Sequence, residues 1–257
     1  MNIVPQSSLV AFSGGIDSSI LASILGHLRK NAKLLTMGLE KSADILTVSN
    51  GIRMSRDQIL IKPFHREDVE HAAIRTLNFV QVSNLSHLED CVAFWLISEH
   101  TSKLSGMNTL LSANGPDELF CGYDRFRRIL DSEGYSAIPK EITRSLVVAD
   151  NLSKAVKSIG SLFGLQIAEP FLSGDFRSEG LKIPASHKIL PSNDLVRKRI
   201  WRCLGRTLHL PEEVVMRPKK AMQYGMGVHQ IVSSMLKRGT LKFELHENLR
   251  ENPVNQT

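Results

Sequence analysis

The chain has 257 residues and a mass of 28.7 kDa, is 42% hydrophobic and 23% charged, and has a mean hydropathy near zero. That balance excludes a disordered or fibrous chain, and a chain of this length buries roughly three quarters of the surface its unfolded form exposes. Lys and Arg (32) outnumber Asp and Glu (26) for a net charge of +6, so an anionic ligand is expected, but charge alone does not separate nucleotide from nucleic acid.

Part of the basic excess is local: Arg197-Lys198-Arg199, Arg202 and Arg206, then Arg217, Lys219 and Lys220. Such a run also reads as a solvated helix face. The longest apolar stretch, Cys91 to Ile97, is followed by Ser98, Glu99 and His100 and falls far short of the roughly 20 residues that cross a bilayer. Met1 to Pro5 has no signal-type pattern, so a cytoplasmic location is expected. Cys91, Cys121 and Cys203 have no Cys-x-x-Cys spacing and read as buried thiols. Trp95 and Trp201 read as core residues, and the histidines show no zinc-ligand spacing.

Ser8 to Phe12 is a strand-like run, and Ile16, Ile20, Leu21, Ile24, Leu25 and Leu28 form a helical stripe directly after it. Lys33 to Leu39 is a second strand, Asp44 to Met54 a helix, and Gln58 to Lys62 a third strand ended by Pro63. Helices follow at Glu67 to Leu77 and Leu88 to Lys103. Thr109 to Ser112 is a fourth strand, Asp117 to Leu130 a helix, and Leu165 to Ala168 a fifth strand ended by Pro170. Beyond Asp175, Asn193 to Leu208 and His229 to Lys237 look helical. Alternation of β and α predicts a doubly wound, five-stranded parallel sheet with a helical C-terminal extension. The expected organisation is one domain over 1–245, its α/β core at 8–175 and its helical part at 176–245, with 246–257 a flexible tail.

Ser13-Gly14-Gly15-Ile16-Asp17-Ser18-Ser19 lies between the first strand and first helix, where a parallel sheet opens its ligand crevice. Its glycines admit a phosphate close to the backbone, and Ser13, Ser18 and Ser19 offer hydroxyls beside free helix amides. No lysine follows as in the usual NTPase loop; Asp17 is there instead, and a carboxylate among phosphates implies Mg²⁺. Ser112-Ala113-Asn114-Gly115-Pro116-Asp117-Glu118 repeats this layout after the fourth strand. First and fourth strands flank the switch point, so Asp17 and Asp117 can face each other across one crevice. Taken singly, each string also reads as a capped helix start.

The Ser-Gly-Gly-x-Asp-Ser-Ser string resembles the loop of the PP-loop ATP pyrophosphatases, a Rossmann-like fold of the adenine nucleotide alpha-hydrolase kind. Ser112 to Tyr123 is similar to Ser-Gly-Glu-Gly-x-Asp-Glu-Leu-Phe-Gly-Gly-Tyr, and Gly164 to Leu172 to Gly-Leu-Glu-Val-Arg-x-Pro-Phe-Leu. Leu210 to Val214, with Arg217-Pro218-Lys219 and Gly225-Met226-Gly227, resembles a closing Leu-Pro-x-x-(Ile/Val), Arg-x-Lys and Gly-x-Gly. Together these resemble the synthetase domain of asparagine synthetase and β-lactam synthetase over residues 8 to 245.

The resemblance implies an AMP-forming amide ligase: a small carboxylate, such as aspartate, attacks the α-phosphate of ATP, and an amine then takes the acyl-adenylate. It implies that Ser13, Gly14, Gly15, Ser18 and Ser19 hold pyrophosphate, with Asp17 and Asp117 on Mg²⁺. Leu39 falls in the stretch that reads adenine; Ser112, Ala113, Asn114 and Gly115 also border the nucleotide. Lys219 falls on a lysine that neutralises developing charge, so Lys219, Asp17 and Asp117 form the expected catalytic set.

Asn114 replaces the family's glutamate and cannot take up a proton, so another base operates or the acceptor differs from aspartate. Ala168, Gln166 and Ser173 also replace charged residues of the family pattern. Asn2 follows Met1 where glutamine-dependent relatives have a cysteine nucleophile, so the expected nitrogen source is ammonia, another amine, or a separate glutaminase subunit. A homodimer is compatible with the sequence. Two other readings stand beside the ligase: a tRNA-modifying PP-loop enzyme, for which the cysteines and a nucleic-acid module are lacking, and a non-catalytic nucleotide-binding scaffold. Nucleic acid and membrane are not expected partners.

Overall fold

The computed structural model describes residues 8–30, 32–52, 59–191 and 197–242. Five parallel strands, β1 (Ser8–Ala11), β2 (Ala32–Leu39), β3 (Ile59–Phe64), β4 (Thr109–Leu111) and β5 (Gln166–Ala168), lie in the order β3-β2-β1-β4-β5. The chain works outward from β1 to β3, then returns to place β4 against β1 in the register Val10 with Leu111. The crevice therefore opens between the carboxyl ends of β1 and β4, as expected for a doubly wound sheet.

Both sheet faces are covered, which is why the strands are apolar at nearly every position. Leu9, Leu35, Leu110 and Ile167 pack with α3 (Arg66–Phe79), α4 (Leu85–Ser102) and α13 (Val228–Lys237). Val10, Leu34, Leu111 and Ala168 face α1 (Ile16–His27), α2 (Ala43–Ser49), α5 (Pro116–Leu119) and α6 (Asp124–Glu133). Beyond β5 the described segments are helical: α8 (Gly174–Lys182), α9 (Ala185–Lys188), α10 (Arg199–Thr207), α11 (Glu212–Val215), α12 (Met222–Gly225) and α13.

Five sequence expectations are corrected. Strand β3 continues through Pro63 to Phe64, because β3 is an edge strand paired only to β2 and the missing N–H costs no ladder bond. The expected helix Asp117 to Leu130 is two helices, broken where Cys121 takes a positive φ of 59° and Gly122 N–H returns to Asp117 O at 2.8 Å. The helix expected from Asn193 starts at Arg199, because Arg197 and Lys198 are left-handed (φ 48° and 54°); positions 193–196 lie outside the described residues. Helix α2 ends at Ser49, not Met54, with Asn50 closing it. Cys91 and Cys121 are buried but Cys203 is exposed, since it sits on the solvent side of α10 opposite Trp201, Arg202 and Gly205.

Residues 138–162, to which the sequence reading assigned no element, form the longest helix, α7 (Ile138–Leu162). Its stripe of Ile138, Ile142, Leu146, Ala149, Val156 and Ile159 is punctuated by buried Ser145 and Ser153, which masks the period. Its first half packs on one sheet face and its second half on the other. The tail 246–257 lies outside the described residues.

Candidate active site

The loop after β1 is tied by its own hydroxyls. Ser18 Oγ accepts from Ser13 N at 3.3 Å and donates to Gly15 O at 3.2 Å, and Ser13 Oγ accepts from Gly15 N at 3.2 Å. This holds the first turn of α1 toward the crevice with Asp17 on it.

The loop after β4 does the same for Asp117. Gly115, at φ 120°, leads into Pro116 at the start of α5; a Cβ there would stand 2.7 Å from Phe171 O, so only glycine fits both the angle and the approach. Gly122 is constrained by close approach alone: a Cβ would collide with Asp117 Oδ1 and with the stem of Lys198.

Asp17 and Asp117 meet. One ammonium, Lys198 Nζ, lies 2.6 Å from Asp17 Oδ2 and 2.8 Å from Asp117 Oδ1. Lys198 is 1% exposed, so its charge persists only because two carboxylates compensate it. Trp201 Nε1 donates to Asp17 Oδ1 at 2.8 Å. Lys219 Nζ lies 3.5 Å from Asp117 Oδ2 and 4.4 Å over the Tyr123 ring. Burial raises the pKa of Asp17, with Asp117 adding to the rise and Lys198 opposing it. Burial acts likewise on Asp117, but Lys198 and Lys219 outweigh it and hold this carboxyl at about 2.

The crevice is a cavity of about 200 Å³. Ser13, Asp17, Ser18, Ser112, Ala113, Asn114, Gly115, Asp117 and Lys219 all border it; Gly15 borders a smaller, basic recess of about 50 Å³ beside it, with Lys198, Arg202, Arg217 and Lys220. Three expected residues border neither the cavity nor the recess. Gly14 supplies the turn (φ 69°) against Ile52, and the Ser19 hydroxyl is fully buried without a partner. Leu39 is covered by Gly227, and its N–H is taken by Met226 O at 2.9 Å; β2 reaches the cavity through Leu35 and Met37 instead.

Several site residues escaped sequence reasoning. Lys198 and Arg202 belong to the basic run, but they are buried rather than solvated; Arg202 is bonded to Arg197 O at 2.8 Å and to Val215 O, closing the chain around α10. Arg217 donates to Ser13 O at 3.0 Å and lies 3.6 Å from Asp44, pinning the C-terminal segment to the phosphate loop. Burial pushes both Asp44 and Asp90 up to about 7; Arg217 opposes the shift at Asp44, and Lys219 at Asp90. Tyr123 Oη donates to Glu118 at 2.5 Å. The one sequence signal for Lys198 was its place between two arginines, which a solvated face explains equally well.

The observed donor set fits Mg²⁺. Asp17 Oδ2 and Asp117 Oδ1 converge on one cation position, held in this structure by Lys198 Nζ at 2.6 and 2.8 Å, and two convergent carboxylates suit an ion that takes its remaining ligands from phosphate and water. Among the described residues no group of three His, Cys, Asp or Glu is arranged to hold a metal.

A parallel sheet with a glycine-serine loop and paired aspartates at its switch point defines a PP-loop-type nucleotide-binding domain. The asparagine synthase family model matches residues 6–164, and the chain belongs to that family. It is 26% identical to the glutamine-hydrolysing asparagine synthetase of Gallus gallus over 83% of this chain and 39% of that protein. It is 28% identical to asparagine synthetase 1 of Arabidopsis thaliana over 85% and 39%. It is also 26% identical, over 92% and 49%, to a Methanocaldococcus jannaschii protein that carries an asparagine synthetase name. The chain thus spans less than half the length of these relatives. No described helix is long and apolar enough to cross a membrane.

Proposed function

We propose that the chain is an ATP-dependent, AMP-forming amide ligase that adenylates a small carboxylate and passes the acyl group to ammonia or another amine. The observation that carries this reading is the convergence of Asp17 and Asp117, one hundred positions apart, on a single ammonium at 2.6 and 2.8 Å. Relatives named as asparagine synthetases support aspartate as the acceptor.

Asp17 and Asp117 would hold Mg²⁺, which when bound neutralises charge on the departing pyrophosphate. The Ser13–Ser18 loop and the recess of Lys198, Arg202 and Arg217 supply amides, hydroxyls and cations for that same polyanion. Lys219, held between Asp117 and the Tyr123 ring, faces the cavity where the acyl-phosphate forms. A cation in a dry site is worth on the order of 3 kcal/mol to such a transition state.

The test is carboxylate-dependent exchange of labelled pyrophosphate into ATP, followed by AMP release on adding ammonium chloride. Binding of ATP without exchange, across a panel of amino acids and other carboxylates, would reject the ligase. That outcome would favour nucleotide binding without turnover, a reading supported by Lys198 occupying the point between the two carboxylates. Exchange only with tRNA would instead indicate a modifying enzyme.

A further inference from the structure

We propose that Glu169 is a positioning residue that locks the amide of Asn114, so that the cavity wall beside Asp117 presents an uncharged hydrogen-bond acceptor to the attacking nitrogen. This rests on the ligase reading above and deepens it.

Asn114 follows β4 and Glu169 follows β5, two strands paired in the register Leu111 with Ala168, and Ser112 N–H continues the ladder to Ala168 O at 2.9 Å. The pairing brings the two side chains together across 55 positions: Asn114 Nδ2 donates to Glu169 Oε1 at 3.0 Å. Glu169 is surrounded by donors, with the Ser153 hydroxyl on Oε2 and Lys157 Nζ 3.7 Å from the same oxygen. Ser153 and Lys157 lie one turn apart on α7, and the Glu169 side chain is only 1% exposed.

The chemistry fixes the orientation. An Asn amide has one donor end and one acceptor end. With one Nδ2–H given to Glu169, Asn114 keeps its second N–H and Oδ1, and Oδ1 is its only side-chain acceptor. Asn114 itself borders the cavity with Asp117 and Lys219. An amide oxygen accepts an N–H but does not take the proton, so this wall orients a nitrogen nucleophile that reaches the acyl-adenylate already neutral. Glu169 stays behind Asn114, outside the cavity lining, and acts through it.

The test uses the full chain with ATP, Mg²⁺, ammonium chloride and, separately, L-aspartate, L-glutamate and succinate. Glu169→Gln preserves shape but can face Asn114 with either end of its amide, releasing the lock. The expected result is a KM for ammonium about tenfold higher, with the loss in amide formation exceeding the loss in pyrophosphate exchange by a similar factor. Glu169→Asp should recover part of it. As a readout independent of turnover, the Asn114 side-chain NH₂ pair, assigned in ¹⁵N–¹H spectra by its absence in Asn114→Asp, should be protected from exchange in the wild type and unprotected in Glu169→Gln. Unchanged protection, or equal losses in exchange and amide formation, overturns the positioning role alone. No amide formation by the wild type with any of the three carboxylates overturns this role together with the ligase reading.

Discussion

Trp201 and Asp17 are joined by an indole N–H donated to the carboxylate at 2.8 Å. The indole is stacked on Phe120 at 4.9 Å and meets Phe171 edge-on at 5.0 Å, so an aromatic cluster aims the aspartate. Trp201→Phe keeps the stacking and removes the donor. Pyrophosphate exchange should fall about tenfold, the equivalent of one hydrogen bond to a charged group, with little change in melting temperature. Unaltered exchange would show that the indole serves packing alone.

Asp17→Asn and Asp117→Asn should each lower exchange by at least roughly two orders of magnitude, while far-UV circular dichroism stays native. In either variant Lys198 retains one carboxylate partner, so the fold is expected to persist. Wild-type rates in both would remove the proposed site.

A divalent cation held by Asp17 and Asp117, as proposed, would compete with Lys198 for the two carboxylates. In Lys198→Met the carboxylates keep only Lys219, 3.5 Å from Asp117 Oδ2, as a nearby ammonium, so the variant should melt lower without metal, and Mg²⁺ alone should raise its melting temperature by about 5 °C. The wild type should show little response to Mg²⁺ without nucleotide. Equal responses would argue against competition at that point.

Lys219→Ala should lower turnover roughly a hundredfold or more, because no other ammonium holds its place between Asp117 Oδ2 and the Tyr123 ring among the described residues. Steady-state AMP formation measures it.

Burial raises Asp90 to about 7, with Glu89 and Glu118 adding to the rise and Lys219 opposing it. The folded state therefore holds this proton more tightly than the unfolded state, whose value is the ordinary 3.8. Stability from this group is full below about pH 4 and is lost as pH rises through about 7. Asp90→Asn removes that loss, so it should be more stable than the wild type at pH 8 by on the order of 2 kcal/mol, the gap closing toward pH 5. Urea unfolding at both pH values decides it; an equal difference at pH 5 and 8 would exclude titration of Asp90.

The strand-loop-helix order was legible because short apolar runs and helical stripes are local signals, as in Ser8–Ala11 followed by Ile16–His27. Pro63 and Gly122 misled or went unread for the opposite reason. Whether a proline ends a strand depends on its being at the sheet edge, and whether a helix breaks depends on what Asp117 and Lys198 require of the backbone beside them.

By itself the sequence determined the sheet class, the two loops at its switch point and the acidic, serine-rich chemistry of those loops, since each is written within about ten consecutive residues. Only the tertiary structure decided that Lys198, 181 positions from Asp17, lies between the paired aspartates, and that Glu169 holds Asn114. Such encounters depend on how the C-terminal helices and β5 close over the sheet, and that closure is settled by packing across the whole chain rather than by any local pattern.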